Sequence, residues 1–162
     1  MKFDFLFKKV LDDEQVKGLL DKNYFLASVF CMPKVSSKIS IDKYSVHLYD
    51  SETNKVVSVE ANDNLSISEP EDAVNRMTEL SNQKYIDPEK IVSGFMKDIK
   101  ETIGNIMITL HNKEIKGKVI PVWTFVFILN NLSVLTIDAD AKTGKELSKE
   151  RSSLVQRVSR AS

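Results

Sequence analysis

The 162-residue chain has a single cysteine, Cys31. One thiol closes no internal disulfide, so nothing in the sequence calls for an oxidising compartment. Its five glycines are too few and too scattered for a phosphate-cradling loop. No apolar run approaches the roughly 20 residues with which a helix spans a bilayer. The longest, 119–129, has the length of a strand and is interrupted by Pro121 and Thr124. The first nine residues mix Lys2, Lys8 and Lys9 with aromatics. They offer neither an apolar signal core nor a small-residue cleavage site, so the expected location is cytoplasmic. Neither sign of charge is in excess: Lys plus Arg is 23 and Asp plus Glu is 23. A basic surplus is the usual footprint of a nucleic-acid binder, and across the whole chain it is missing.

What is present is apolar mass: 42% of the residues are hydrophobic, enough for the core of one domain or of two small halves sharing one. Asp12 or Asp13 caps a helix that starts at Glu14 and puts Val16, Leu19 and Leu20 on one face. Phe3, Phe7 and Val10 belong either to an earlier turn of that helix or to a separate amphipathic piece. Residues 24–32 form an apolar strand that Pro33 ends. Residues 39–49 alternate through Ile39, Ile41, Val46 and Leu48, turn over 50–54, and return as 55–61, which is a β-hairpin. Ser68 with Glu71 three residues on reads as a capping box, and Ala73, Val74, Met77 and Leu80 as the stripe of the helix it opens. Asp87 and Pro88 start a second helix with Ile91, Phe95, Ile99 and Ile103 at four-residue intervals. Three strands follow: one through Ile106, Ile108 and Leu110, one over 119–129 that is apolar on both faces, and one over 132–138 after an Asn130-Asn131 turn. A short helix through Leu154, Val155 and Val158 is expected near the end.

Each half therefore reads helix, strand, hairpin, a weak internal repeat. At Pro121, Val122 and Trp123, and again over 137–147, the sequence resembles the PepSY domain. That family has a helix followed by three antiparallel strands, with Trp or Tyr near the start of the middle strand. Its last strand ends in Asp-Ala-x-Thr-Gly, matched here by Asp140, Ala141, Thr143 and Gly144. The resemblance covers about 86–148, and the first half matches in plan only. It implies a cystatin-type α+β fold and a role as a protease-propeptide inhibitor or as a small binding module near membranes. The inhibitor role is not carried over, because no protease accompanies the unit. Asp140 and Gly144 also have a structural reading, in which a carboxylate bonds the backbone of the next turn and glycine supplies a positive φ.

No constellation in the sequence amounts to a catalytic site. Cys31 with His47 or His111 as base is the one nucleophile arrangement to consider, but Cys31 sits in an apolar run, where a thiol is ordinarily buried and inert. The two histidines are far apart and no second cysteine exists for a zinc site. Asp138 and Asp140 start like a calcium loop without the residues that should follow, and Glu146 with Glu150 reads as a solvated pair. Neither a cofactor nor a metal is expected.

The expectation is an α+β protein of two helix-plus-antiparallel-hairpin units, 1–64 and 86–148, each sheet packed by a helix, with a helical connection over 65–85 and a basic tail over 149–162. Its expected role is a non-enzymatic binding or regulatory module whose partner is a protein, met through a sheet face or edge. The alternatives are a nucleic-acid or ribosome-associated protein using Lys149, Arg151, Arg157 and Arg160 in a tail of local positive charge, and a peripheral membrane protein anchored by the aromatics of residues 1–10. A homodimer across the strongly apolar central strand is a further expectation.

Overall fold

The computed structural model describes residues 2–154. Helix α1 (Phe3–Asp12) ends where Asp13 turns extended, and Asp13 at once caps α2 (Glu14–Leu20) by accepting from the backbone N–H groups of Gln15 and Val16. These are two helices rather than one. Phe3, Leu6, Phe7 and Val10 fall on the buried side of α1, at the three- and four-residue spacing that makes one helical face. Strands β1 (Tyr24–Cys31), β2 (Lys34–Val35), β3 (Ile39–Ser40), β4 (Tyr44–Asp50), β5 (Lys55–Ala61), β6 (Leu65–Ile67) and β7 (Glu71–Asp72) follow. The expected strand over 39–49 is thus broken at 41–43 into β3 and β4. The remaining elements are α3 (Pro88–Met96), β8 (Ile103–Ile115), β9 (Lys118–Leu129), β10 (Ser133–Asp140) and β11 (Glu146–Ser153).

The main sheet is antiparallel in the order β11-β10-β9-β8-β1-β4-β5-β6, with β7 also on β5. The chain is α+β: among the described residues, helices pack on one face of this sheet and leave the other face open. The two hairpin sheets expected from the sequence are joined into one by β1 and β8. Only Ser28, Val29, Phe30 and Cys31 pair across that seam, with His111, Leu110, Thr109 and Ile108. Alternation sorts the side chains. Val29, Cys31, Val46, Val59, Ile108, Leu110, Trp123, Phe125, Phe127 and Ile137 face the helices and are buried. Phe3 stacks on Phe7 and meets Trp123 edge-on at 5.1 Å, so α1 sits directly over β9.

Three expectations need correction. No helix occupies residues 65–85. Ser68, read as an N-cap, is stitched to β5 instead: its backbone N–H donates to Ser58 O, and its Oγ accepts from the Ser58 N–H. Glu71 is then drawn into β7 opposite Val56. Of the supposed stripe only Leu80 is buried, while Val74 is 94% exposed. Second, α3 stops at Met96, because Ile103 is taken by β8 to pair with Leu129 at the end of the long β9; the bonds from Asp98 to Phe95 and from Ile99 to Met96 are i→i+3 turns. Third, the tail does not begin at 149. Residues 146–153 form a fourth C-terminal strand against β10, and the helix expected through Val155 and Val158 lies outside the described residues.

The segment 73–86 acts as a strap through the sheet. Beyond Ser28 the strands β1 and β8 no longer pair. On one side of the strap Leu80 N–H donates to Leu26 O, and on the other the Asn112 side-chain amide donates to Glu79 O and Thr78 Oγ1. The strap starts beside the β4–β5 turn, where Ala73 and Asn54 exchange hydrogen bonds. It ends on the helix side, where Tyr85 meets Phe7 edge-on and Ile86 O accepts from Trp123 Nε1 at 3.0 Å. Replacing Leu80 with Ala should therefore cost about 2–4 kcal/mol, the range for emptying a well-packed core site. Urea unfolding followed through the sole tryptophan, Trp123, measures it; a loss below about 1 kcal/mol would show that the strap is not anchored in the core.

Candidate functional site

The open face of the sheet is organised by register. Cross-strand neighbours on one face meet directly, and the pairings place Ser148, Asp138, Thr124, Thr109, Phe30, Ser45, Glu60 and Ser66 in one row across eight strands. The next row runs Asp140, Val122, His111, Ser28, His47 and Ser58. Few of these residues are apolar, and they bond one another. Ser28 Oγ and His47 Nδ1 share a hydrogen bond of 2.8 Å. Thr124 Oγ1 donates to Asp138 Oδ1 at 2.6 Å, and His111 Nε2 lies 2.9 Å from the same hydroxyl. Because the threonine proton is already committed to the carboxylate, His111 must be the donor through Nε2–H. Ser148 Oγ and the Lys113 ammonium bond Asp138 Oδ2.

Asp138 is 2% exposed and remains a carboxylate. Burial pushes its pKa up, but the hydrogen bonds of Lys113, Thr124 and Ser148, with the Lys113 charge, outweigh this and hold it below the usual carboxylate range. Both histidines shift down. Burial is the main cause, opposed by Glu60 at His47 and by Asp138 at His111, with Lys113 adding to the fall at His111. Near neutral pH the face therefore holds one stabilised carboxylate and two uncharged imidazoles.

Where β1 and β8 part, the face opens into a cleft of about 360 Å³ lined by Ala27, Ser28, Arg76, Met77, Thr78, Thr109, His111 and Asn112. The strap forms one wall, and the network forms the floor. The bulge between Leu26 and Ser28 in β1 shapes its upper end. Hydroxyls, a neutral imidazole, a carboxamide and a guanidinium meet here around the Met77 side chain, which suits recognition of polar groups on a partner.

The residues singled out in the sequence lie elsewhere. Lys149 and Arg151 sit on β11, and Arg151 is held by Glu101 at 3.1 Å. Arg157 and Arg160 lie outside the described residues. Trp123 is fully buried under α1. Asp140 accepts from the N–H groups of Lys142 and Thr143, Thr143 Oγ1 accepts from Lys145 N–H, and Gly144 has φ +77°. These three residues build the β10–β11 turn. Cys31 is 2% exposed, and burial first, then the charges of Glu89 and Asp87, push its thiol far up, which leaves no thiolate for chemistry. The sequence reading missed Ser28, Lys113, Thr109, Thr124 and Ser148 as members of a shared surface. Counting alternation from the two hairpin turns puts His47 and His111 on the same face, but the β1–β8 seam that joins their rows has no local signature.

No family model matches the chain, and no curated protein is similar to it. Among solved structures the fold is similar to that of a candidate lipoprotein from Clostridium difficile 630, with a TM-score of 0.57 and 11% identity over 94% of this chain and 93% of the other. At that identity the similarity establishes the fold.

The network sets a pH dependence. A histidine whose folded pKa is lowered takes up more protons when unfolded, so its contribution is complete above the unfolded value near 6.5 and declines as pH falls through it. Asp138, lowered in the folded state, adds stability above about pH 4 that is lost on further acidification. Stability should thus fall between pH 7.5 and 5.5, and a His47→Gln, His111→Gln double variant should flatten that slope in urea titrations; an unchanged slope would count against neutral, buried imidazoles. Asp138→Ala, which strands three donors, should cost about 2–3 kcal/mol at pH 7 by the same measurement.

Proposed function

We propose that the chain is a non-enzymatic binding module that engages a protein partner on the open face of its sheet, centred on the cleft between β1 and β8. The observation that carries this reading is the cleft itself. It is a concavity whose floor holds Ser28 and His111 through hydrogen bonds to His47 and Thr124 and presents Thr109 between them, beside half-buried Phe30, Met107, Val126 and Ile128 on the same face. Preorganised polar groups interleaved with apolar side chains are what a protein interface requires. The nucleophile candidates argue against catalysis: Cys31 is buried and protonated, and Ser28 meets Nδ1 of a histidine whose other nitrogen has no orienting hydrogen bond among the described residues.

The two other readings have less support. A nucleic-acid surface built on the tail loses Arg151 to Glu101. A membrane anchor built on residues 1–10 loses Phe3, Leu6 and Phe7 to the core and keeps Phe5, which is 66% exposed. We further infer that the chain repeats one plan twice. A helix followed by the antiparallel strands β1, β4 and β5 corresponds to α3 followed by β8, β9 and β10, which is the PepSY-like layout in each half.

A photo-crosslinking residue at Thr109 tests the proposal against a control at Lys22, on the α2 side. In native lysate, Thr109 should give discrete protein adducts that survive nuclease, and Lys22 should not. Nuclease-sensitive adducts, or equal adducts from both positions, would reject the open face as the protein-binding surface.

A further inference from the structure

Away from the open face, at the end of the sheet nearest the helices, four lysines from four separate stretches of chain meet around one cleft. Lys2 comes from the residue before α1, Lys84 from the strap, Lys90 from the first turn of α3 and Lys142 from the β10–β11 turn. With Asp4, Tyr85, Ile86 and Asp87 they line a cleft of about 680 Å³. All four are exposed, and among the described residues none forms an ion pair or a side-chain hydrogen bond.

The two acids of the cleft offset only part of this charge, four lysines against two aspartates. Asp87 is committed to backbone donors: Oδ1 accepts from Glu89 N–H at 3.0 Å, and Oδ2 accepts from Phe3 N–H at 3.4 Å. It caps α3 and ties the start of α1 to it. Asp4 is exposed on α1 and bonds none of the four lysines. The turn that carries Lys142 is rigid, because Asp140 Oδ1 binds the Lys142 and Thr143 N–H groups and Asp140 O accepts from Gly144 N–H at 2.7 Å. Gly144 also backs onto the cleft wall, where an added Cβ would stand 3.4 Å from Ile86 Cδ1. Mutual repulsion keeps unpaired ammonium groups apart unless something anionic sits between them, and here the fold sets their stems around a common concavity.

We infer that this cleft is a binding site for a clustered phosphate anion, either a free polyphosphate or the phosphate headgroup of a lipid. Ammonium groups on flexible stems suit the point charges of several phosphate oxygens better than a single planar carboxylate, for which guanidinium forks are the fitted partner. The site is independent of the protein-binding face and stands or falls separately from it.

Trp123 is a built-in reporter, since its Nε1 bonds the carbonyl of Ile86 in the cleft wall. The full chain is titrated with tripolyphosphate, read by Trp123 emission and by calorimetry, and is co-sedimented with phosphatidylcholine vesicles with and without phosphatidic acid. A Lys84→Gln, Lys142→Gln variant is compared with Lys22→Gln, Lys38→Gln, which removes the same charge elsewhere. The result expected is binding to one of the two phosphate sources, weakened roughly tenfold or more in the cleft variant and kept in the control. Tripolyphosphate binding identifies a free anion as the source, and binding only to phosphatidic acid vesicles identifies a headgroup. No binding to either, or an equal loss in both variants whose circular dichroism is native, would overturn the inference.

Discussion

Four residue pairs hold this molecule together as one sheet. Ser28, Val29, Phe30 and Cys31 face His111, Leu110, Thr109 and Ile108, and everything on either side depends on that short seam. On the helix side it buries Val29 against Leu110 and Cys31 against Ile108, so the cores under α1 and α3 merge. On the open side it sets His111, Ser28 and His47 in line. Had β1 and β8 stayed paired for their full length, the sheet would have been closed. Because β1 bulges at Ala27 and the strands part there, the chain itself can pass through the gap, and Leu80 fills it. The seam thus creates the core, the open-face network and the cleft together.

The elements with strong local signals were legible in the sequence. Asp87 caps a helix that Pro88 opens, Asp13 of the two aspartates on offer caps the other, and the apolar run over 119–129 is a strand, though its buried residues Trp123, Phe125, Phe127 and Leu129 lie on one side while Val126 and Ile128 opposite are half-buried. The failures share one cause. Ser68 and Glu71 carry a helix-start pattern, yet β5 has an edge with unpaired backbone groups and the chain beside it satisfies them as β6 and β7. Ile103 continues the stripe of α3, yet β9 offers it Leu129 as a partner. In both places a non-local hydrogen-bond ladder overrode a local propensity, which a single sequence cannot weigh. The same holds for the candidate sites. Lys2, Lys84, Lys90 and Lys142 are spread over most of the chain, and nothing in the spacing of four lysines foretells that they share a cleft.

Charge placement separates the two surfaces. The open-face network satisfies its charges internally, with Asp138 saturated by Lys113, Thr124 and Ser148, so it presents oriented hydrogen-bonding groups with little net field. The lysine cleft does the opposite and leaves ammonium groups unmatched. An interface of the first kind selects by shape and register, while one of the second attracts by field and weakens with salt.

The exposed edge of β11 bears on self-association. Two copies pairing antiparallel about a two-fold axis normal to the sheet keep their faces, so residues of like parity meet. Centring such a pair on Lys149 sets Lys149 against itself. Centring it on Glu150 sets Glu150 against itself and Lys149 against Arg151, and centring it on Arg151 sets arginine against arginine. Each of these registers places like charges directly opposite, which is destabilising across strands, and the alternating charges of 149–151 thereby protect an edge that would otherwise be a template for pairing. The opposite edge is shortened and interrupted instead, since β6 and β7 cover β5 only in pieces.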